Sequence, residues 1–264
     1  MADARFLLRP KWLLSHLLVL LLIVAMINLG LWQLRRLDER RQRNDLIESR
    51  QDQPVVPVDE LVASDAGDKA VSDARYRRVS AGGTYNEDAT VVVRNRTQDG
   101  VAGAWLVTPV ELPSGSQVGV IRGFVGLQSD GSPVDAPPPQ GDVTVQGIVI
   151  DPHRLDGTAP KDVDPMLKAD GMLPVLILAD SSTPPEPNEG QEGGSRQDSI
   201  LQVPKPELGE GPHFSYAVQW FIFTAIAIIG YPIVLRRVVA RKGKEVDDTD
   251  DLDRELDELA RHGG

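Results

Sequence analysis

Cysteine is absent from this 264-residue chain, and there are only four histidines and four tryptophans. Without a thiol there can be no disulfide, no thiolate metal site and no cysteine nucleophile, although the compartment is not fixed by that alone. Catalytic and nucleotide-binding signatures are missing too: no HExxH, GxSxG, Walker loop or Rossmann fingerprint occurs. Basic charge is scarce. The net charge is −11, and residues 45–212 carry 27 acidic against 13 basic side chains. Such a segment would not seek nucleic acid or an anionic membrane surface. The acidic surplus leaves one enzymatic class open, a hydrolase built on paired carboxylates, but nothing selects a pair.

What the chain does have is two long apolar runs. Residues 13–31 read LLSHLLVLLLIVAMINLGL, and residues 214–235 form a second run. Each is long enough to cross a hydrocarbon core. The first exceeds the apolar region of a secretory signal and has no small-residue cleavage site. It runs instead into LGLWQLRRLDERR, an aromatic anchor followed by a charged helix continuation.

Two spans put both termini on one side. That side carries Arg5, Arg9, Lys11, Arg236, Arg237, Arg241, Lys242 and Lys244, and the second span passes from acidic ELGEGPH to this cationic exit. The positive-inside rule therefore predicts cytoplasmic termini and an external central region. Arg35, Arg36, Arg40, Arg41 and Arg43 make the outer end of the first span unusually basic and need a separate explanation.

Between the spans, β-rich runs recur: YRRVSAGGTY, ATVVVRN, AWLVTPVEL, QVGVIRGFVG, DVTVQGIVI, LPVLILA and SILQVP. Gly, Pro, Asp and Asn separate them, which predicts a mainly antiparallel small barrel or sandwich. GGTY reads as a bulge or turn. The fold class is thus a membrane protein in which two transmembrane α-helices flank an external β domain. The expected division is a cytoplasmic N-terminus at 1–11, a first span at 12–34, and a juxtamembrane helix and loose lead-in at 35–72. The β domain follows at 73–212, with a disordered loop at 181–197. A second span occupies 213–235 and an acidic cytoplasmic tail 236–264. In that tail Leu252, Leu256 and Leu259 fall at helical spacing, as in a solvated helix or a docking helix.

The histidines carry the remaining chemistry. His153 has no second ligand at metal spacing, and His262 lies in the tail. His16 sits at the inner end of the first span, roughly 24 Å from Trp32 at 1.5 Å per residue, so it cannot share a small ligand with His213. His213 opens the second span, with Tyr216 and Trp220 at helical spacing. That face reads in two ways. It is an aromatic belt at the membrane surface, or, facing Trp32, Gln33, Arg35 and Arg36, it holds a haem. In the second case the imidazole takes the iron, apolar groups the macrocycle and arginines the propionates.

These residues also resemble a known family. LGLWQLRRLDER, with Gly30, Trp32, Gln33 and Arg36, resembles the first-span signature of the surfeit locus protein family, although Arg40 stands where Lys is usual. YRRVSAGGTY resembles that family's first strand pair. GVAGAWLVTPVELPSGSQVGVIRGFV resembles its central block, through Gly103, Thr108, Pro109, Arg122 and Gly123. PHFSYAVQWF resembles its second-span opening, through His213, Tyr216, Ala217, Trp220 and Phe221. The block ends RGFVG rather than RGWVP, and the 181–197 loop and acidic tail look like additions. The direct start into the first span, with no transit peptide, leads us to expect a bacterial member.

The resemblance implies a non-enzymatic assembly factor for haem–copper cytochrome c oxidase in the plasma membrane. It implies haem a as a transient cofactor with its iron on His213. Oxidase subunits, haem a synthase and the bilayer are the implied partners. A scaffold or accessory protein that never holds haem is the alternative.

Overall fold

The computed structural model describes residues 4–154, 159–186, 200–206 and 208–262. The chain divides into two compact units, Met1–Arg43 with Gly209–Gly264, and Asn44–Leu208.

The first unit is a helix pair. Helix α1 (Pro10–Gln51) begins on a proline, whose fixed φ suits a first helical turn, and α5 (His213–His262) is the last element of the chain. The apolar stretches of both are outward-facing. Leu18 and Leu21 are 56% and 57% exposed, Ile226 and Ile229 61% and 63%. A soluble helix would bury such a face, whereas a bilayer accepts it on all sides. At 1.5 Å per residue, the uncharged 19-residue run at 13–31 covers about 28 Å, close to a hydrocarbon core. These are two membrane-spanning helices by length, composition and exposure.

Within the unit the helices run antiparallel and meet at three levels. At one end Ser15 Oγ and His16 Nδ1 lie 3.0 Å and 2.6 Å from the Tyr231 hydroxyl. Near the other end, the face of Gly30 receives Phe221 so closely that a Cβ there would stand 2.9 Å from Cζ. One helical turn further on, Gln33 bonds His213. Ala217 and Thr224 are buried on the same side of α5. Small residues permit this approach between membrane helices, where close packing replaces hydrophobic driving force.

The second unit is a β barrel with helical additions. Its strands are β1 (Val56–Pro57), β2 (Arg78–Tyr85), β3 (Val91–Gln98), β4 (Val101–Glu111), β5 (Gln117–Gly126), β6 (Asp142–Ile150) and β7 (Met172–Thr183). They follow the order β1-β2-β6-β7-β5-β4-β3, and a further β2–β4 pairing closes β2, β6, β7, β5 and β4 into a ring. Most pairs are antiparallel; β1–β2 and β5–β7 are parallel. Valines dominate the interior, including Val79, Val118, Val120, Val143, Val145 and Val175, as expected of β-branched side chains on a pleated surface. Strand β5 is buried on both faces beyond Gln117.

Several expectations are corrected. The loose lead-in is structured: α1 continues to Gln51, and β1, α2 (Val58–Leu61) and α3 (Asp68–Ala74) bring Val58, Val62 and Val71 into the core. Helix α4 (Ala159–Leu167) was unforeseen because Pro165 interrupts its pattern. Its Val163 and Met166 pack with Ile121, Phe124 and Leu176. SILQVP contributes one bridge, Leu201 to Phe124, rather than a strand ladder. GGTY is neither bulge nor turn but the C-terminal end of β2, at the barrel closure. Of the loop expected at 181–197, residues 181–183 extend β7 and Glu186 is anchored in the barrel, while 187–199 lie outside the described residues.

Candidate functional site

The start of α5 is built by the tripeptide Gly211–Pro212–His213. Gly211 has a φ of 70°, a left-handed conformation that glycine adopts without a Cβ penalty. The carbonyl of Pro212 then accepts the first helical bond, from the Tyr216 amide at 3.1 Å. His213 is therefore held at the first turn of α5, half-buried, and its Nδ1 lies 2.9 Å from Gln33 Oε1 of α1. No partner for Nε2 occurs among the described residues.

His213 lines an open cleft of about 370 Å³ with Arg36, Glu39, Arg40 and Arg43. Residues 36, 40 and 43 share one helical face, four and three apart. Arg36 donates to Glu39 at 2.7 Å between exposed side chains, which offsets part of its charge. Arg41 makes a forked contact with both Glu210 oxygens, at 2.7 Å and 3.2 Å. That hydrogen bonding holds the Glu210 carboxyl below the usual range. Of the arginines at the basic outer end of α1, Arg36, Arg40 and Arg43 thus form a cleft wall and Arg41 an ion pair beside the start of α5.

Of the residues singled out from the sequence, Gln33, Arg36 and His213 come together. Arg35 is exposed and does not line the cleft. Trp32 and Tyr216 are 49% and 48% exposed on the apolar exterior. Trp220 is half-buried and meets Phe223 edge-on at 6.1 Å. Sequence reasoning missed Glu39, Arg40 and Arg43 as cleft residues, although the spacing from Arg36 was the signal that could have found them.

The other histidines are differently placed. His16 Nδ1 meets the Tyr231 hydroxyl and Nε2 lies 3.3 Å from the Leu7 carbonyl, so both ring nitrogens are engaged. His153 is exposed, its backbone amide bonded to Asp151 Oδ1. The His262 side chain lies outside the described residues. No cluster of three or more His, Asp or Glu suited to a metal ion occurs among the described residues.

The barrel contains a second polar cluster. Arg122 is buried against Glu186, donating from Nε at 3.0 Å and 3.2 Å and again from its terminal nitrogen. It also donates to the carbonyls of Ala136 and Pro137, at 2.8 Å and 3.0 Å, and lies 5.5 Å from the Tyr85 ring centre. Burial raises the Tyr85 phenol well above its ordinary pKa, and the negative Glu186 adds to the shift. Glu186 and Asp180 line a shared cavity of about 20 Å³, room for roughly one water. Glu186 is committed to Arg122, and Asp180 to Lys205 at 2.9 Å. A cavity of that size has no space for a sugar or peptide between the carboxylates.

A family model described as the SURF1 family matches residues 20–225, from inside the first span to inside the second. The chain belongs to the SURF1 family. It is 32% identical over 248 residues to an uncharacterized SURF1-like protein of Mycobacterium bovis, covering 87% of this chain and 85% of that one. Uncharacterized SURF1-like proteins from two strains of Mycobacterium tuberculosis match to the same extent. SURF1 proteins are membrane-associated and are linked to cytochrome c oxidase assembly, not to an enzymatic reaction. Gln33, Arg36, Arg40, Arg43 and His213 all fall inside the matched range.

Proposed function

We propose that this SURF1 protein is an assembly factor that holds haem a for a haem–copper cytochrome c oxidase, with His213 as the iron ligand. The observation that carries this reading is the His213 ring, held through Nδ1 by Gln33 and lining a cleft with Arg36, Arg40 and Arg43, with no partner for Nε2 among the described residues. The donor set fits the cargo. An imidazole nitrogen suits haem iron. Arg36, Arg40 and Arg43 offer forked donors that match propionate carboxylates. The exposed rings of Trp32 and Tyr216 and half-buried Trp220 offer apolar surface nearby in sequence on the same two helices. Haem a brings the iron and the two propionates; the protein contributes one ligand, counter-charge and a hydrophobic surround.

A single histidine suits a carrier. Transfer requires release, and a second axial histidine would hold the cargo more tightly. Oxidase subunits and haem a synthase are the proposed partners, and two spans raise the local concentration of encounters with them. From the distribution of Lys and Arg around the spans, the protein lies in the plasma membrane with both termini cytoplasmic and the barrel external.

The test is the haem a content of cytochrome oxidase purified from cells lacking this protein. We expect it to be low, to be restored by the wild-type chain, and not to be restored by His213→Ala. Equal restoration by His213→Ala would instead support a scaffold that never holds haem.

A further inference from the structure

We infer that Gln33 is a positioning residue that fixes the tautomer of His213. This inference rests on the haem-carrier reading of the same site. A neutral imidazole has one N–H donor and one acceptor nitrogen. The Gln33 atom facing Nδ1 at 2.9 Å is its carbonyl oxygen, which can only accept. The proton therefore resides on Nδ1, and the lone pair resides on Nε2, which has no partner among the described residues. A histidine ligand to a metal ordinarily has its second nitrogen held in this way.

The neighbouring contacts make the arrangement specific. Gln33 sits one helical turn beyond Gly30, where Phe221 packs against a bare backbone. That contact sets the separation of α1 and α5 at the level from which Gln33 reaches across. His16 provides the contrast within the same helix pair. Its two nitrogens are both engaged, by Tyr231 and by Leu7, and it has no lone pair to offer. One histidine is a clamp between helices, and the other is a ligand held ready.

The choice of glutamine has a consequence. A carboxylate at this position would draw the Nδ1 proton more strongly and make Nε2 a more basic, tighter ligand. A neutral amide orients the ring with less of that strengthening, which matches a carrier that must release its cargo.

The experiment uses the full-length protein in detergent, labelled with 15N-histidine, and the variants Gln33→Leu, Gln33→Glu and His213→Ala. His213 resonances are assigned by their loss in His213→Ala. We expect the apo wild type to show the Nδ1–H tautomer and Gln33→Leu to lose that preference. In titrations with haem a, Gln33→Leu should bind about 10–100-fold more weakly. Gln33→Glu should restore or exceed wild-type affinity and lower the haem reduction potential. An Nε2–H tautomer in the wild type overturns the inference, as does equal affinity and an identical spectrum in Gln33→Leu. A wild type with the Nδ1–H tautomer that binds no haem a overturns the carrier reading, and with it any role of Gln33 toward iron.

Discussion

Gly83 is where the barrel closes, and replacing it with alanine should open the closure. Strand β2 meets β4 through only two register pairs, Thr84 with Glu111 and Tyr85 with Val110. A Cβ on Gly83 would stand 1.9 Å from the Glu111 carbonyl oxygen and 2.9 Å from its carbon. Normal contact needs about 3.5 Å, so the obstacle is backbone, and no side chain can swing aside to relieve it. The strands must part. The Asn86 bonds to the Pro109 carbonyl and to Glu111 Oε1 are placed to be lost with them. Lost bonds at about 1 kcal/mol each, added to overpacking of about 1–3 kcal/mol, bring the cost to about 2–5 kcal/mol. For a domain of this size that lowers Tm by about 5–15 °C. Gly82 is the control, because a Cβ there meets nothing within 4 Å. Gly82→Ala should leave Tm within about 2 °C or raise it slightly, since glycine weakens a strand interior. The assay is thermal unfolding of the detergent-solubilised full chain, followed by amide exchange in β2 and β4. Equal Tm values for Gly83→Ala and Gly82→Ala would refute the closure argument.

Other expectations follow from the barrel and the spans. Arg122→Met leaves the Glu186 carboxylate buried without its partner and should cost about 3–5 kcal/mol in chemical denaturation, with Arg122→Met/Glu186→Gln recovering much of the loss. The folded state raises the Tyr85 pKa, so its contribution to stability is intact below the unfolded value of about 10 and is lost as pH rises above it. Tyr85→Phe should therefore flatten the alkaline arm of the stability–pH curve, and an unchanged arm would remove Tyr85 from it. Because the chain has no cysteine, single substitutions report topology without background. Ser114→Cys should react with a membrane-impermeant maleimide on intact cells and Lys242→Cys only after lysis; the reverse pattern would invert the proposed orientation.

The spans and most barrel strands were legible in the sequence for simple reasons. Unbroken apolar runs of membrane length have few alternatives, and β5 and β6 are framed by turn residues at both ends. What escaped was the part whose local signal conflicts with its tertiary role. Residues 55–74 carry four Asp and four Ala without a clear strand or helix period and read as a loose connection, yet Val58, Val62 and Val71 among them are buried against the barrel. The GGTY signal was real but misassigned: glycine there permits a strand crossing. The site was legible in outline through His213, Gln33 and Arg36. Arg40 and Arg43 were hidden within a run of charges that any juxtamembrane helix could carry, and only the cleft geometry separates them from Arg35. The bond between Gln33 and His213 joins residues 180 positions apart, and no local pattern reports it.

The most direct test of the account is a visible absorption spectrum of the detergent-purified protein co-expressed with haem a synthesis, wild type beside His213→Ala. The carrier reading predicts a haem a band in the wild type that is lost in a folded, membrane-inserted His213→Ala. A wild type without the band, or a band that survives the substitution, would contradict it.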